Sequence, residues 1–254
     1  ALNLETVDAK QSYDLISLAS RLNPSNSFFS SEKKRIEQNV NFHWSKLQPR
    51  LQVNEECKFF FVHIPKTGGT SIDDSNLFES PRHGHARLNR FKELLGNDYY
   101  SYKCFTLVRN PWDRLASAFY YISEGGSGNK SDLMVRNEYI GKFNSNFKEF
   151  LIDFTANPNI FLKLLHFKPM IKFFRPEDCN LDFYIQKLEH IKDLNGLNNF
   201  LGTDLIMTHK RKRKNYSNIV KTYNKDLFSK VRDIFLDDIV TFGYESFTLE
   251  DVKN

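Results

Sequence analysis

The chain lacks any apolar run of about 20 residues, the length a membrane-spanning helix needs. No secretory leader pattern stands at its start. Cysteine is scarce: Cys57, Cys104 and Cys179 are 3 in number and far apart, so no disulfide framework or zinc spacing emerges. These absences suggest a soluble protein of a reducing compartment. We expect a cytoplasmic location, with the Golgi lumen as the alternative if an N-terminal anchor has been removed. The ATP-type loop G-x-x-x-x-G-K-[ST] is missing as well. Net charge is only +5, from 36 basic and 31 acidic residues. By itself that excess does not mark a nucleic-acid binder, although it suits an anionic ligand.

Phenylalanine is abundant, at 24 of 254 residues, and reads as core filling. Residues 1–50 are polar and read as a helical lead-in, with helices over 8–22 and 31–41. Residues 51–254 read as one domain. Within it Lys58 to Ile64 (KFFFVHI) and Tyr102 to Val108 (YKCFTLV) read as buried strands. Leu181 to Gln186 is a third strand candidate. A short polar helix follows the first strand and stops before Pro81. Another starts at Pro111 and ends near Gly125-Gly126-Ser127-Gly128-Asn129, which reads as a flexible loop. Residues 131–166, 187–201 and 224–240 read as helices. The expected fold is α/β: a P-loop-like three-layer α/β/α arrangement around a central, mainly parallel sheet.

Pro65-Lys66-Thr67-Gly68-Gly69-Thr70-Ser71 joins the first strand to its helix. Paired glycines let successive N–H groups turn inward, and a helix N-terminus adds donors and positive partial charge. Lys66 adds a full charge, and Thr70 and Ser71 add hydroxyls. The pattern suits phosphate or sulfate. The competing reading is a strand–turn–helix corner with an incidental lysine. Asp73 and Asp74 would repel an anion if they faced it, so they should face away.

Phe105 to Phe119 repeats the strand-to-helix pattern. Arg109 stands at the carboxyl end of a strand, where open α/β sheets bind ligands, and suits bidentate contact with phosphate. Ser117 lies about two turns into the helix. A basic residue at that strand end points to an anion site without metal. Arg114 reads as half of a surface salt bridge, with Asp113 or a neighbour.

HIPKTGGTS followed by FTLVRNPWDRLASAFYY resembles the Golgi-type and bacterial carbohydrate sulfotransferases. The close resemblance covers about residues 58–122, and a weaker one reaches Thr241-Phe242-Gly243-Tyr244. It implies 3′-phosphoadenosine-5′-phosphosulfate (PAPS) as donor and the bisphosphate nucleotide PAP as product. Lys66, Thr67, Gly68, Gly69, Thr70 and Ser71 would hold the 5′ side of the donor, and Arg109 and Ser117 the 3′-phosphate. The acceptor would be a hydroxyl, on a glycan or a small natural product.

His83-Gly84-His85 lies between the two motifs. Histidine accepts protons near neutral pH. In an extended segment the two rings share a side. Spacing alone favours an exposed pair of loop histidines; a metal site would need a third ligand, and His63 and Cys57 lack a matching motif. The segment resembles the catalytic histidine region of the 2-O- and 6-O-sulfotransferases. That resemblance makes His85 the base and His83 its helper.

Lys210 to Lys214 is the strongest basic run, a solvated surface or a ligand contact. In relatives a late basic loop closes over the 3′-phosphate, which would assign Arg213 and Lys214 there. His166-Phe-Lys-Pro169 departs from a His-x-x-Pro-Gln pattern because Met170 replaces glutamine, so no acceptor role follows for it. The Tyr120-Tyr121 pair and Trp112 read as core, with stacking on adenine or sugar as the alternative. Two other functions compete: a nucleotide kinase or NTPase, and a basic nucleic-acid-binding module. We expect neither metal nor nucleic acid as a partner.

Overall fold

A computed structural model describes residues 31, 51–78, 84–174, 180–205 and 222–253. Residues 50–254 form one compact unit. The expected lead-in helices lie outside the described residues, apart from Ser31.

The element order is β1 (Gln52–Asn54), β2 (Phe59–Val62), α1 (Thr70–Asp73), α2 (Leu88–Leu95), β3 (Lys103–Val108), α3 (Pro111–Ser123) and α4 (Lys130–Val135). Then come α5 (Phe147–Ala156), α6 (Pro158–Phe161), β4 (Asp182–Lys187), α7 (Asn195–Leu201), α8 (Lys225–Ile234), α9 (Leu236–Thr241) and α10 (Leu249–Lys253). The four strands form one sheet in the order β1-β2-β3-β4. β2, β3 and β4 are parallel, and β1 pairs antiparallel with β2.

Alternation along the central strands explains the layers. Phe60, Val62, Cys104 and Val108 point to one face, where α2, α3, α5 and α8 complete an aromatic core. Phe59, Phe61, Phe105 and Leu107 point to the other, against Ile72, Leu197 and Leu201 from α1 and α7. Strands buried on both faces read as continuous apolar runs, which is why β2 and β3 stand out in the sequence. Each fully buried phenylalanine contributes about 1.5–3 kcal/mol.

Several boundaries differ from the sequence reading. Arg136–Ile140 is a π turn and Gly141–Phe143 a 3₁₀ turn, so the helices expected over 131–166 are broken. Asn144 and Ser145 take positive φ at 46° and 61°, which ends the run before Asn146 caps α5. Trp112 is core: its ring stacks on Phe228 and Phe247 and its Nε1 donates to the Phe228 carbonyl. No helix among the described residues is long and apolar enough to cross a membrane.

Candidate active site

Parallel β2, β3 and β4 bring their carboxyl ends to one edge of the sheet. Three loops meet there, led by His63, Arg109 and Leu188. Contact between them is direct. A side chain at Gly68 would come within 2.7 Å of Leu188, and Asn110 donates from N and Nδ2 to Glu189 Oε1, each at 2.8 Å.

The 63–71 loop is tightly constrained. Lys66 has φ +70° and Gly68 +89°. The first is costly for a residue with a Cβ, and such strain clusters at functional sites. Thr67 is buried and its Oγ1 donates to the Ile64 carbonyl at 2.9 Å. Its hydroxyl therefore helps to lock the loop. Gly69 has ordinary helical dihedrals, and its need is spatial: an added Cβ would overlap the His63 ring. That ring cannot retreat freely. His63 Nδ1 lies 2.8 Å from Asp73 Oδ2, and Gln52 Nε2 donates to Asp73 Oδ1 at 2.9 Å. Asp73 thus turns inward, under the loop. Thr70 is exposed and Ser71 half-buried at the start of α1, where the Ser71 N–H donates to the Gly68 carbonyl at 3.1 Å and the Ile72 N–H to the Gly69 carbonyl at 3.0 Å.

Around Lys66 the fold gathers side chains that are distant in sequence. Its ammonium sits 3.6 Å from the Tyr121 ring centre. His85 Nδ1 is 2.9 Å from the His63 carbonyl oxygen. A carbonyl only accepts, so Nδ1 carries the proton and Nε2 keeps its lone pair. Burial, and next the charge of His63, push the His85 pKa down to about 2, with His166 and Lys66 adding to the drop and the His63 carbonyl opposing it. The neutral ring is therefore the resting form. The His85 and His166 ring centres are 6.0 Å apart. Burial lowers the His166 pKa too, against the nearby Asp132 carboxylate, 3.9 Å from Nδ1.

The second motif supplies the other side. Asn110 caps α3 by accepting from the Asp113 N–H, with Pro111 at its first position. Arg109 is partly exposed, with Nη2 3.6 Å from Asp113 Oδ2. Ser117 lies one turn beyond Asp113 on the same helix. Glu189 supports the arrangement by accepting from Asn110 and, through Oε2, from the Tyr244 hydroxyl at 2.9 Å.

Residues 49–245 match the model of the sulfotransferase family, which takes in both motifs and nearly the whole described unit. The chain belongs to the sulfotransferase family. No curated protein and no solved structure matches it.

In this sulfotransferase Lys66, Gly68, Gly69, Thr70, Ser71, Arg109 and Ser117 stand on the loop and helix that frame one sheet edge, and His85 joins Lys66. His83, Arg213 and Lys214 lie outside the described residues, as does the whole 210–214 run. Among the described residues no three His, Cys, Asp or Glu side chains form a metal-binding group.

Two sequence readings are corrected. Arg114 is no surface partner of Asp113; it is buried, with Nε donating to the Pro65 carbonyl at 3.0 Å and Nη2 to the Lys168 carbonyl at 2.9 Å. The Gly125–Asn129 segment is pinned rather than loose. Asp132 Oδ2 accepts from Ser127 N, Ser127 Oγ and Asn129 Nδ2, and a Cβ at Gly126 would overlap that carboxylate. Sequence reasoning gave no role to Asp132 or His63, read Tyr121 as core or a stacking surface, and set His166 aside. Only a histidine followed by a proline at 169 marked that last position.

Proposed function

We propose that the protein transfers a sulfuryl group from PAPS to a hydroxyl of a carbohydrate, with His85 as general base. The observation that carries this reading is the His85 geometry. Its Nδ1–H is held by the His63 carbonyl, so Nε2 presents a lone pair within the electrostatic field of Lys66.

The loop suits the anionic end of such a donor. Glycines with no room for side chains, a helix start and one lysine favour close approach of a phosphosulfate. Lys66, the 67–71 backbone and the Thr70 and Ser71 hydroxyls would hold the 5′ side. Arg109 and Ser117 would hold the 3′-phosphate, which distinguishes this donor from ATP. The donor supplies an activated sulfuryl group. His85 Nε2 takes the acceptor proton as the acceptor oxygen bonds to sulfur. Lys66 balances the charge that grows on the phosphate oxygen as the old S–O bond breaks. No covalent enzyme intermediate is needed. An anion beside Lys66 would offset the smallest of the influences that lower the His85 pKa, whereas burial, the largest, persists.

Incubation with sulfur-35-labelled PAPS and a panel of glycans and small hydroxylated natural products tests the reading. His85→Ala should lower transfer by about 100-fold or more while donor binding survives. Lys66→Ala and Arg109→Ala should lose donor binding. Wild-type turnover by His85→Ala would remove the base assignment.

A further inference from the structure

We propose that Tyr121 is a positioning residue for Lys66: its ring seats the ammonium, and Asp132 holds the ring. The seat rests on geometry alone; its use in sulfuryl transfer rests on the function proposed above.

Lys66 Nζ lies 3.6 Å from the Tyr121 centroid, well inside the roughly 6 Å that defines a cation–π contact. Among the described residues the other lysine–ring approaches are looser, from 4.5 Å at Lys187–Tyr244 to 5.7 Å at Lys92–Tyr99. Tyr121 is itself fixed. Its hydroxyl donates to Asp132 Oδ2 at 3.2 Å, and the His166 ring centre lies 5.0 Å away on a tilted plane. Hydrogen bonding to a carboxylate makes the phenol ring richer in electrons, which strengthens its attraction for a cation. Asp132 is buried and bound by the 127–129 turn, and it occupies the space that any side chain at position 126 would fill.

The arrangement links the two motifs. Tyr121 stands one turn after Ser117 on α3, so those positions share a helix face. The ring therefore ties the lysine of the first motif to the helix of the second. Lysine has a long side chain with much rotamer freedom, and a seated one has less freedom to lose on binding. The Gly125–Asn129 turn then acts at a distance, by fixing Asp132.

The seat is tested on the full chain without a donor. Reductive dimethylation with carbon-13 formaldehyde keeps the lysine charge and gives each lysine a methyl signal. The Lys66 signal is identified by its loss in Lys66→Arg. In the wild type it should be displaced upfield by the ring current. Tyr121→Phe should keep that displacement and Tyr121→Leu should abolish it. If the leucine variant fails to fold, pentafluorophenylalanine at position 121 keeps the ring shape and reverses its electrostatics, so the signal should return to the ordinary lysine position. On unmethylated protein, calorimetry with PAP should show about tenfold weaker binding in the leucine or pentafluoro variant, and a change under about threefold in Tyr121→Phe. An undisplaced Lys66 signal in the wild type, or equal PAP affinity in all variants, would overturn the proposal. Failure of the wild type to bind PAP at all would instead refute the donor assignment, while the methyl signal still decides the seat.

Discussion

Arg114 donates from Nε to the carbonyl oxygen of Pro65 at 3.0 Å, so a side chain of the second motif holds the backbone of the first. Its Nη2 reaches the Lys168 carbonyl, two residues past His166. Burial lowers the Arg114 pKa to about 10, and the charge of Asp238 opposes that drop. Asp238 in turn accepts from Met170 N and Ile171 N, each at 2.8 Å. One buried cation therefore braces the Lys66 loop and the His166 segment together.

Removing that brace should be expensive. Arg114→Met leaves two carbonyls unbonded and the Asp238 charge uncompensated, so urea denaturation should show a loss of about 3 kcal/mol. Arg114→Lys keeps the charge but lacks the planar fork that reaches both carbonyls. It should recover only part of the loss.

Gly69→Ala tests the loop through sterics alone, because the Gly69 dihedrals are ordinary at φ −61° and ψ −21°. The new methyl meets the His63 ring, which the Asp73 contact and stacking on Phe61 hold in place. Overpacking of this kind costs about 1–3 kcal/mol. Thermal melting should show that loss, and double replacement with His63→Ala should relieve part of it.

Thr67→Val separates a structural hydroxyl from a ligand-binding one. Thr67 Oγ1 donates to the Ile64 carbonyl inside the loop. Stability should fall by about 1 kcal/mol, while the Michaelis constant for the donor changes little. A large rise in that constant with unchanged stability would reassign the hydroxyl to the ligand.

The buried histidines give stability a defined pH dependence. His85 is pushed down to about 2 in the folded protein, from an ordinary value of 6.5, and His166 is lowered as well. In the unfolded chain both rings take up protons once the pH falls below about 6.5. Between there and the lowered folded values the unfolded state binds more protons, so folding stability declines as pH falls. The full stability is present above about pH 6.5. Each such group contributes a slope of up to about 1.4 kcal/mol per pH unit. Denaturation of His85→Gln between pH 7.5 and 5 should show a shallower decline than the wild type.

Local chemistry made some of this legible before the structure. β2 and β3 are apolar on both faces, and the glycine–lysine turn between strand and helix is contiguous, so spacing alone exposes it. β1 offers only Gln52-Val53-Asn54, too short and too polar to read as a strand. Tyr121, Asp132 and His166 lie on three separate segments that converge only in space, and no spacing rule joins them. Arg114 was misplaced because an arginine is a surface residue by default, and its two acceptors are backbone oxygens that the sequence does not display. Gly125 to Asn129 has the composition of a free turn; the carboxylate that pins it comes from α4.

Calorimetric titration with PAP, compared with adenosine 5′-monophosphate, tests the central claim most directly, because these nucleotides differ only in the 3′-phosphate that Arg109 and Ser117 would hold. The wild type should bind PAP at least about tenfold more tightly, and Arg109→Ala should erase the difference. Equal binding of the two nucleotides by the wild type, or no binding of PAP, would contradict it.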